Sequence, residues 1–438
     1  MSELPTRTQM RAKETSAGPT IARHGRLKQH RPFRFIAMIF AAVIGVVAVS
    51  SASVAAYAIW DVSTSLKPSV KLVDAKGDPL PAAPQVGAMD GAFNVLLAGS
   101  DSGGGNAAYG NRGEVLNDVT MLLHVSADHK NATVISFPRD LYVAIPSCPD
   151  PKGGNFGAMS RQKINNTLSY GGLACTVLTV EKLTGMDIPY AGVIEFDGVI
   201  EMSNAVGGVP VCVAGDIKDP YTGLDVKAGQ NTLEGQQALA FLRTRHGVGD
   251  GSDLGRISNQ QVFLSSLVRT IKSADTLANP VKVYGMAKAA TSSMTLSESL
   301  NNVGTIASMA VALKNIDLNK VVFVQYPNHY VEGGGGVEPT TSAATALFNA
   351  LKNDQSIALT GDAGVGSTVD PNAPATGTPA TGTPTAPATG APATGTPTDG
   401  SSSGSSDGST DAGGTVDLPS NVHGQTASEY TCSKPFGG

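Results

Sequence analysis

An arginine and an aspartate stand side by side at the end of an apolar segment, in the sequence ATVISFPRDLYVAIP (132–146). Val134 to Phe137 predict a buried strand, and Pro138 then introduces Arg139 and Asp140. Because apolar chain resumes immediately, the two charges must be partly removed from water, which is costly unless they are paired. The pair therefore indicates either a structural ion pair or part of a site for a charged ligand.

A predicted hairpin brings further carboxylates to this pair. Three short buried strands are predicted, with the sequences FNVLLAG (93–99), VTMLLHVS (119–126) and ATVISFP (132–138). If residues 127–131 form the turn of an antiparallel hairpin, residues on its two strands face each other when their numbers sum to about 258. Asp118 on one strand then lies beside Arg139 and Asp140 on the other. The first strand ends at Asp101, and a loop of about 16 residues leads back to Asp118. We therefore expect these four charged residues to share one edge of a sheet.

This cluster has two interpretations that spacing alone does not separate. It can be a structural ion-pair network. It can also be a Mg²⁺ site, with Mn²⁺ as the alternative ion, because magnesium is held by one or two carboxylates together with phosphate oxygens and water.

A second charged segment is FLRTRHGVGDGSDLGRISNQQ (241–261). Arg243 and Arg245 point the same way if a helix ends there and the chain becomes extended. Arg256 and Gln260 share a face of the next helix, for which Asp253 is the candidate N-cap. Here the alternative to a binding site is an exposed set of salt bridges.

Arginines combined with carboxylates favour phosphoryl-transfer chemistry. The planar guanidinium matches phosphate oxygens, and such reactions depend largely on positioning and charge neutralisation. The sequence has no Walker A motif, dinucleotide-binding fingerprint or HExxH motif, and its glycine-rich SGGGN (102–106) lacks the P-loop lysine. Phosphate recognition would therefore rest on the arginines.

The amino-terminal region predicts a membrane anchor. Residues 1–34 hold eight basic and two acidic residues, and residues 35–60 carry no charge. Such a span crosses a bilayer as a helix with its basic flank in the cytoplasm; the alternative is a cleaved signal peptide. Either interpretation exports the remainder, which beyond residue 34 has 23 basic and 34 acidic residues. This acidic body argues against a nucleic-acid partner.

The exported region divides by composition. Residues 61–90 predict an extracellular stalk, 91–360 a domain that mixes helices and strands, and 361–417 a disordered linker of Ala, Thr, Gly, Pro and Ser. A short tail, 418–438, follows. The fold class is α/β (α+β mixed), with a central mixed sheet flanked by helices and preceded by one transmembrane helix.

The cysteines fit an exported protein. Disulfides are common outside the cell, and no CxxC pair indicates zinc. Three connectivities are open. We favour Cys148 with Cys175, which closes a loop rich in Gly and Pro, and this leaves Cys212 with Cys432.

The same residues resemble a known family. The motifs LLAGSDS, NDVTMLLHVS, ISFPRDLYVAIP, KINNTLSYGG, FDGVIEMSNAVGGVPV, LEGQQALAFLRTRH and SDLGRISNQQ occur between Phe93 and Ser273 in the order typical of the LytR-CpsA-Psr family. The resemblance implies a membrane-anchored extracellular phosphotransferase that requires Mg²⁺. Its partners would be a polyisoprenyl (polyprenyl) pyrophosphate-linked glycan as donor and peptidoglycan as acceptor, typically at a muramic acid C6 hydroxyl.

The resemblance also implies roles for individual residues. Asp101 and Asp118 match metal-associated aspartates, and Arg139 and Asp140 match the Pro-Arg-Asp motif that contacts pyrophosphate. The residues that match further pyrophosphate-contacting and active-site positions are Arg243, Arg245, Arg256 and Gln260. The expected catalytic residues are Arg139, Asp140, Arg243 and Arg245.

Two family arginines are replaced, by Leu116 and by Asn259. Reduced positive charge could alter the lipid-linked polymer that fits, or weaken activity. Two other functions therefore stay open: a pyrophosphatase, if water replaces the acceptor, and a non-catalytic polyprenyl-phosphate-binding scaffold. The family name also suggests a transcriptional regulator, which the anchor and the acidic body disfavour.

Overall fold

The computed structural model describes residues 32–74, 77–79, 89, 91–102, 115–150, 152–373 and 414–438. These residues fall into two compact units, which divide between Ala58 and Ile59. The helices of the described chain are α1 Pro32–Thr64, α2 Thr167–Thr184, α3 Phe196–Val206, α4 Gly235–Arg243, α5 Asp253–Lys272, α6 Ala274–Leu277, α7 Pro280–Ser293, α8 Val303–Lys314 and α9 Thr341–Lys352. Two short 3₁₀ helices span Ile164–Asn166 and Leu318–Lys320.

The strands of the described chain are mostly short. They are β1 Phe93–Ser100, β2 Asn117–Val125, β3 Ala132–Phe137, β4 Tyr142–Ile145, β5 Cys148–Pro149, β6 Asn155–Phe156, β7 Met159–Lys163, β8 Tyr190–Ile194, β9 Val209–Val213, β10 Ile217–Asp219, β11 Leu224–Val226, β12 Gly229–Leu233, β13 Met294–Leu296, β14 Val321–Gln325, β15 Asn328–Tyr330, β16 Val337–Pro339, β17 Ser356–Ala358, β18 Ser367–Val369, β19 Thr415–Asp417, β20 Gly424–Thr426 and β21 Thr431–Ser433.

The amino-terminal unit consists, where it is described, of helix α1. Within α1 the 29 residues Ile36–Thr64 have a mean hydropathy of 2.3, which makes them long and apolar enough to cross a membrane. The predicted helix at 35–60 is therefore present. The basic tail at 1–34 lies almost entirely outside the described residues.

A seven-stranded mixed sheet organises the second unit, in the order β13-β8-β1-β2-β3-β14-β20. β1, β2 and β3 are antiparallel neighbours, whereas β8 and β14 pair parallel with β1 and β3. The three predicted strands thus form its centre, and the predicted fold class is confirmed. β2 and β3 pair Val125 with Ala132 and Thr120 with Phe137, one position away from the predicted register.

Alternation along the strands sends apolar side chains to both faces of this sheet. Leu96, Leu122 and Ile135 join a core with α2 and α9. The intervening Val95, Leu123 and Val134 belong to a core on the opposite face, where α5 and α8 pack. Both faces are covered by helices, as a central sheet of an α/β domain requires.

The carboxyl-terminal segment is built into the domain. β20 extends the central sheet beside β14, and β21 lies between β9 and β18 in a four-stranded sheet. Gly424 permits the first pairing, since a Cβ there would lie 2.2 Å from the carbonyl oxygen of Phe323. Disulfides Cys148–Cys175 and Cys212–Cys432 are both present, and the second ties β21 to β9.

The structure differs from the predicted boundaries around the linker. β18 and β19 lie within the segment 361–417 that composition assigned to a disordered linker. The Ala-Thr-Gly-Pro repeat begins only at residue 374, and residues 374–413 lie outside the described chain. The predicted tail 418–438 supplies strands to two sheets because three-residue segments such as Gly424–Thr426 gain their order from their partners.

The predicted stalk, 61–90, is also partly docked. Val70 forms a bridge with Ser297, and Leu72 is buried in the core that contains α2. The first half of this segment therefore belongs to the folded unit, while most of 75–90 lies outside the described residues.

Candidate active site

Asp118 and Arg139 form the centre of the candidate site. The β2–β3 register places Asp118 opposite Arg139, two residues beyond the Thr120–Phe137 pair. Arg139 Nη1 donates to Asp118 Oδ1, and both side chains are largely buried, with 22% and 18% exposed. The hairpin thus brings together the two charges that the sequence predicted to be neighbours.

Asp253 joins this ion pair to two further arginines. Its Oδ2 accepts the backbone N–H of Arg139 at 3.0 Å, while its Oδ1 lies 2.5 Å from Arg256 Nη2 and 3.6 Å from Arg245 Nη2. Asp253 is the first residue of α5, where the helix dipole favours a carboxylate. Sequence reasoning placed Asp253 in this charged segment, one turn before Arg256, and also took it as the N-cap; the N-cap prediction was wrong. The cap is Ser252, whose hydroxyl accepts the Gly255 N–H, and the Asp253 carboxylate is ion-paired with the arginines.

Three guanidinium groups therefore share a small volume. Arg256 Nη2 also donates to the backbone carbonyl of Asp118 at 2.7 Å. Burial lowers the pKa of Arg245, and the positive charges of Arg256 and Arg139 lower it further, against the opposing effect of Asp253 and Asp118. This mutual repulsion is the electrostatic signature of a site prepared for an anion.

Asp140 lies on the other side of Arg139, paired with a lysine. Lys163 Nζ is 2.8 Å from Asp140 Oδ1, and Arg139 Nε is 3.9 Å from Asp140 Oδ2. Lys163 ends β7, where it pairs with Tyr142 of β4. Sequence reasoning missed Lys163 as a site residue, although it begins the quoted motif KINNTLSYGG.

The end of α4 fixes Arg243 and Arg245. The helix ends at Arg243 and the backbone is extended at Thr244, as the prediction required, and the Thr244 hydroxyl donates to Asp219 at 2.6 Å. The Arg243 guanidinium carbon lies 4.2 Å from the centre of the Phe196 ring, a cation–π geometry. Arg245 Nη2 lies 3.6 Å from the Asp253 carboxylate.

Two buried amides of α5 hold this end of α4 in place. Asn259 Nδ2 donates to the carbonyl of Phe241 at 2.5 Å, and Gln260 Nε2 to that of Leu242 at 2.9 Å. The family resemblance predicts an arginine at the position of Asn259; in the structure this amide holds the last turn of α4, next to Arg243. Gln260, predicted to bind substrate, is 4% exposed and makes the same kind of contact.

Asp101 closes the loop between β1 and β2. It is 3% exposed, and its Oδ1 accepts the N–H of Leu116 at 2.9 Å, while its own N–H donates to the Leu116 carbonyl. Leu116, at the other replaced arginine position, therefore contributes its backbone. Asp101 and Asp118 lie at the same end of adjacent strands, as predicted.

The site fits an anion with a divalent ion. Arg139 Nε and Arg256 Nε are buried without a hydrogen-bond acceptor among the described residues, a cost that anionic oxygens would remove. Asp101 and Asp118 offer carboxylate oxygens, which suit Mg²⁺ when phosphate oxygens and water complete the shell. The one three-residue donor group found in the described chain, Cys212, Asp370 and Cys432, contains a disulfide and is no metal site.

A surface cavity of about 320 Å³ lies elsewhere, at the β2–β3 turn. The residues lining it are Asp128, Lys130, Asn131, Asn315, Asp317, Lys320, Asp354 and Ser356. Strand geometry puts this turn about 20 Å from Arg139, since β3 has six residues of about 3.3 Å each. The cavity is therefore separate from the charged site.

Comparison with known proteins agrees with the motif order. The chain is 32% identical to the cell wall biosynthesis protein LcpA of Corynebacterium glutamicum over 57% of this chain and 52% of that protein. It is 29% identical to the polyisoprenyl-teichoic acid–peptidoglycan teichoic acid transferase TagU of Enterococcus faecalis, over 56% and 72%. The chain thus spans about half of LcpA.

Among solved structures, the LytR-Csp2A-Psr enzyme from Actinomyces oris aligns with a TM-score of 0.48 at 21% identity, over 65% of this chain and 96% of that one. The model of the LytR_cpsA_psr family matches residues 61–353, which is most of the described second unit and includes every residue of the charged site. The chain belongs to the LytR-CpsA-Psr family.

Proposed function

We propose that this protein is an extracellular phosphotransferase that moves a glycopolymer from a polyisoprenyl pyrophosphate carrier to peptidoglycan. The observation that carries the proposal is the convergence of Arg139, Arg245 and Arg256 around Asp253, with two buried guanidinium N–H groups left without acceptors in the described chain. A pyrophosphate supplies the closely spaced anionic oxygens that such a set binds.

The reaction is a substitution at phosphorus. A hydroxyl of the acceptor attacks the sugar-proximal phosphorus, the bond from that phosphorus to the bridging oxygen breaks, and polyprenyl phosphate leaves with the bridging oxygen. Arg139, Arg245 and Arg256 hold the pyrophosphate oxygens and stabilise the charge that develops on them. The glycopolymer becomes joined to peptidoglycan through a phosphodiester.

Asp140 receives the proton of the attacking hydroxyl. Its side chain is 26% exposed, compared with 18% for Asp118, and Lys163 fixes its orientation at 2.8 Å. A hydroxyl must reach its base directly or through one water. The more accessible carboxylate next to Arg139 is therefore the better candidate.

Mg²⁺ would be held by Asp101 and Asp118 together with pyrophosphate oxygens and water. When bound, the ion would supply additional positive charge at the phosphates. Asp118 already aligns Arg139, so the same carboxylate would serve both the arginine and the ion.

The lipid chain of the carrier has a matching apolar region. The core on the α5 and α8 face of the sheet is bordered by eleven apolar side chains that are only partly buried, against four around the core that contains β9 and α4. They are Leu66, Met89, Val95, Leu123, Val134, Leu264, Val268, Met294, Ile306, Leu313 and Leu318. Apolar groups that are left partly open between sheet and helices suit an isoprenoid chain.

The named relatives and the anchor support the polymer class and the location. TagU and TagT are named as polyisoprenyl-teichoic acid–peptidoglycan teichoic acid transferases, and LcpA as a cell wall biosynthesis protein. Helix α1, preceded by the basic residues of 1–34, would keep the amino terminus in the cytoplasm and the site outside as a single-pass protein.

The test uses the full chain in detergent micelles with a lipid pyrophosphate-linked glycan and peptidoglycan, with and without Mg²⁺. Transfer should require Mg²⁺ and fall by about 100-fold or more in Arg139→Ala and Asp118→Ala, since single charge-stabilising groups contribute on that scale. Arg269→Ala is the control. Arg269 is on the same helix as Arg256, about 20 Å further along, and its guanidinium bonds backbone carbonyls of residues 427 and 429.

Other products would identify other functions. Release of a phosphorylated glycan without transfer would show a pyrophosphatase and refute the ligase. Tight binding of the lipid substrate without turnover would refute both enzymes and leave a wall-binding scaffold.

A further inference from the structure

The end of the anchor helix is fastened to helix α7. Asp61 Oδ2 lies 2.8 Å from Lys288 Nζ and accepts the hydroxyl of Tyr284, and Ser65 bonds Thr291 at 2.7 Å. Val62, between these contacts, is 6% exposed and so is packed away from solvent. The last turn of α1 and the residues after it are therefore attached to one face of α7.

That face of α7 continues to an exposed apolar residue. Val281, Tyr284 and Lys288 are spaced at i, i+3 and i+7, which places them in one row along the helix. Val281 is 76% exposed, and Leu277, just before α7, is 39% exposed. Seven residues of helix correspond to about 10 Å, so Val281 lies about that far along α7 from the attachment to Asp61.

The sequence fixes the depth of this attachment. The charge-free span ends at Trp60, one residue before Asp61, and Tyr57 lies one turn earlier. Tyrosine and tryptophan mark the membrane–water interface at the ends of spanning helices. Asp61 is consequently at the level of the lipid headgroups if α1 spans the bilayer, and Tyr284 and Lys288, which bond its carboxylate, lie next to that level.

We infer that the start of α7, with Val281 and Leu277, rests on the outer surface of the bilayer as a second membrane contact. This inference depends on the anchoring part of the proposed function. The occupant of the exposed row is the lipid surface because the row is continuous with the anchor, and because α7 carries two lysines and no acidic residue. Interfacial helices bury their apolar side chains about 5–10 Å into the headgroup region.

This contact would also orient the apolar region proposed for the carrier. Leu66, five residues after Asp61, packs against the partly open core of α5 and α8. A contact of α7 with the lipid surface would bring the apolar side chains around Leu66 near the bilayer, from which an isoprenoid chain must enter.

The test places one fluorescent label on the full chain in vesicles of phosphatidylcholine and phosphatidylglycerol that contain nitroxide-labelled lipid. Val281→Cys reports the contact, Val46→Cys within α1 reports insertion, and Val369→Cys is the matched control. Val369 is 73% exposed, lies in β18 and has no recorded contact with α7 or with the described residues 59–74. All four native cysteines are in disulfides, so the added thiol alone reacts.

The label at position 281 should be quenched about fivefold more strongly than the label at 369, as expected for a side chain at the lipid interface. Lys288→Ala, which removes the attachment to Asp61, should reduce that quenching while the label at 46 stays quenched. Equal quenching at 281 and 369 overturns the inference. It is also overturned if a second copy of the chain covers the label at 281 and lipid does not quench it.

Polymer transfer, measured on the same vesicles, separates the outcomes. Transfer with an unquenched 281 label rejects the α7 contact alone, and a quenched label without transfer rejects only the enzymatic function. An unquenched label at 46 rejects both the anchor and the contact.

Discussion

Asp253→Asn should reveal whether the site is built to receive a polyanion. The carboxylate of Asp253 is 10% exposed and serves Arg139, Arg245 and Arg256 simultaneously. Asparagine keeps the shape of the side chain and can still accept the N–H of Arg139, but it removes the negative charge. Three guanidinium groups would then be left with Asp118 and Asp140 as their neighbouring acidic groups within the described site.

The cost can be estimated from the geometry. A charge pair at about 4 Å is worth about 4 kcal/mol at an effective dielectric constant of about 20, and breaking a buried pair costs about 3–5 kcal/mol. Arg139 and Arg245 are partly exposed, with 22% and 28% of their side chains accessible, so water recovers part of this. We expect a loss of about 2–3 kcal/mol, or about 3–5 °C in Tm for a folded unit of roughly 300 residues.

Inorganic pyrophosphate should restore much of this loss. Ligand at 100 times its Kd adds about 2.7 kcal/mol to stability, and the variant should bind the anion more tightly than the parent because a competing carboxylate is gone. Thermal unfolding of the full chain in micelles, with and without pyrophosphate, measures both effects. Asp370→Asn is the control, because Asp370 is also buried and accepts from Gln230 Nε2 and from the Asn372 N–H, neither of which belongs to the charged site.

The reasoning is refuted if pyrophosphate raises the Tm of both variants equally, since the rescue would then be nonspecific. It is also refuted if Asp253→Asn is as stable as the parent without any anion. In that case the arginines would not repel one another, and their grouping would be an ordinary salt-bridge network.

Three further predictions concern stability. Burial raises the pKa of Glu181 from its ordinary value of 4.5 to about 7, so the free energy of unfolding falls as the pH rises through this range. After discounting for solvent screening, Glu181→Gln should stabilise the protein by about 1 kcal/mol at pH 8 and by little at pH 5, which denaturant melts would show. Burial lowers the pKa of His124 to about 4, so between pH 6.5 and 4 the unfolded chain binds a proton that the folded chain does not, and the parent loses stability as the pH falls. In the same melts, His124→Gln should therefore lose about 2 kcal/mol less than the parent between pH 7 and pH 5. Cys432→Ser opens a cross-link over 220 residues and should cost about 4–5 kcal/mol, which a drop in Tm measures and which an unchanged Tm would contradict.

The hairpin at the heart of the site could be predicted because local rules decide its register. Alternating apolar residues in β2 and β3 allow one pairing that sends Leu122 and Ile135 to the same core, and the short turn limits slippage. A shift of one residue would turn the apolar side chains of one strand to the opposite face of the sheet. The predicted pairing was one position off, yet it still identified Asp118 as the neighbour of Arg139.

The rest of the site depends on contacts that no local pattern encodes. Asp253 reaches Arg139 across 114 residues, and Lys163 reaches Asp140 through the β4–β7 pairing. The strands β20 and β21 of the carboxyl-terminal segment are three residues long, which is too short to show the alternation of apolar and polar residues that predicts a strand. They form strands because they pair with β14 and β9. Such elements are set by tertiary structure rather than by propensity.

The charge balance of the site leads to a last prediction, on the role of the metal. Arg139, Arg245, Arg256 and Lys163 face Asp101, Asp118, Asp140 and Asp253, so the described site is close to neutral before any ligand arrives. Adding a pyrophosphate makes it strongly negative in a partly buried position, which is unfavourable unless a cation accompanies the anion. Removing the negative charge of Asp118 should reduce the need for that cation. Asp118→Asn should therefore bind pyrophosphate in EDTA about tenfold more tightly than the parent, and Mg²⁺ should improve its binding less, as calorimetric titrations of both would show. If the variant instead binds more weakly in EDTA, Asp118 acts mainly by aligning Arg139, and the proposed Mg²⁺ site does not depend on its carboxylate.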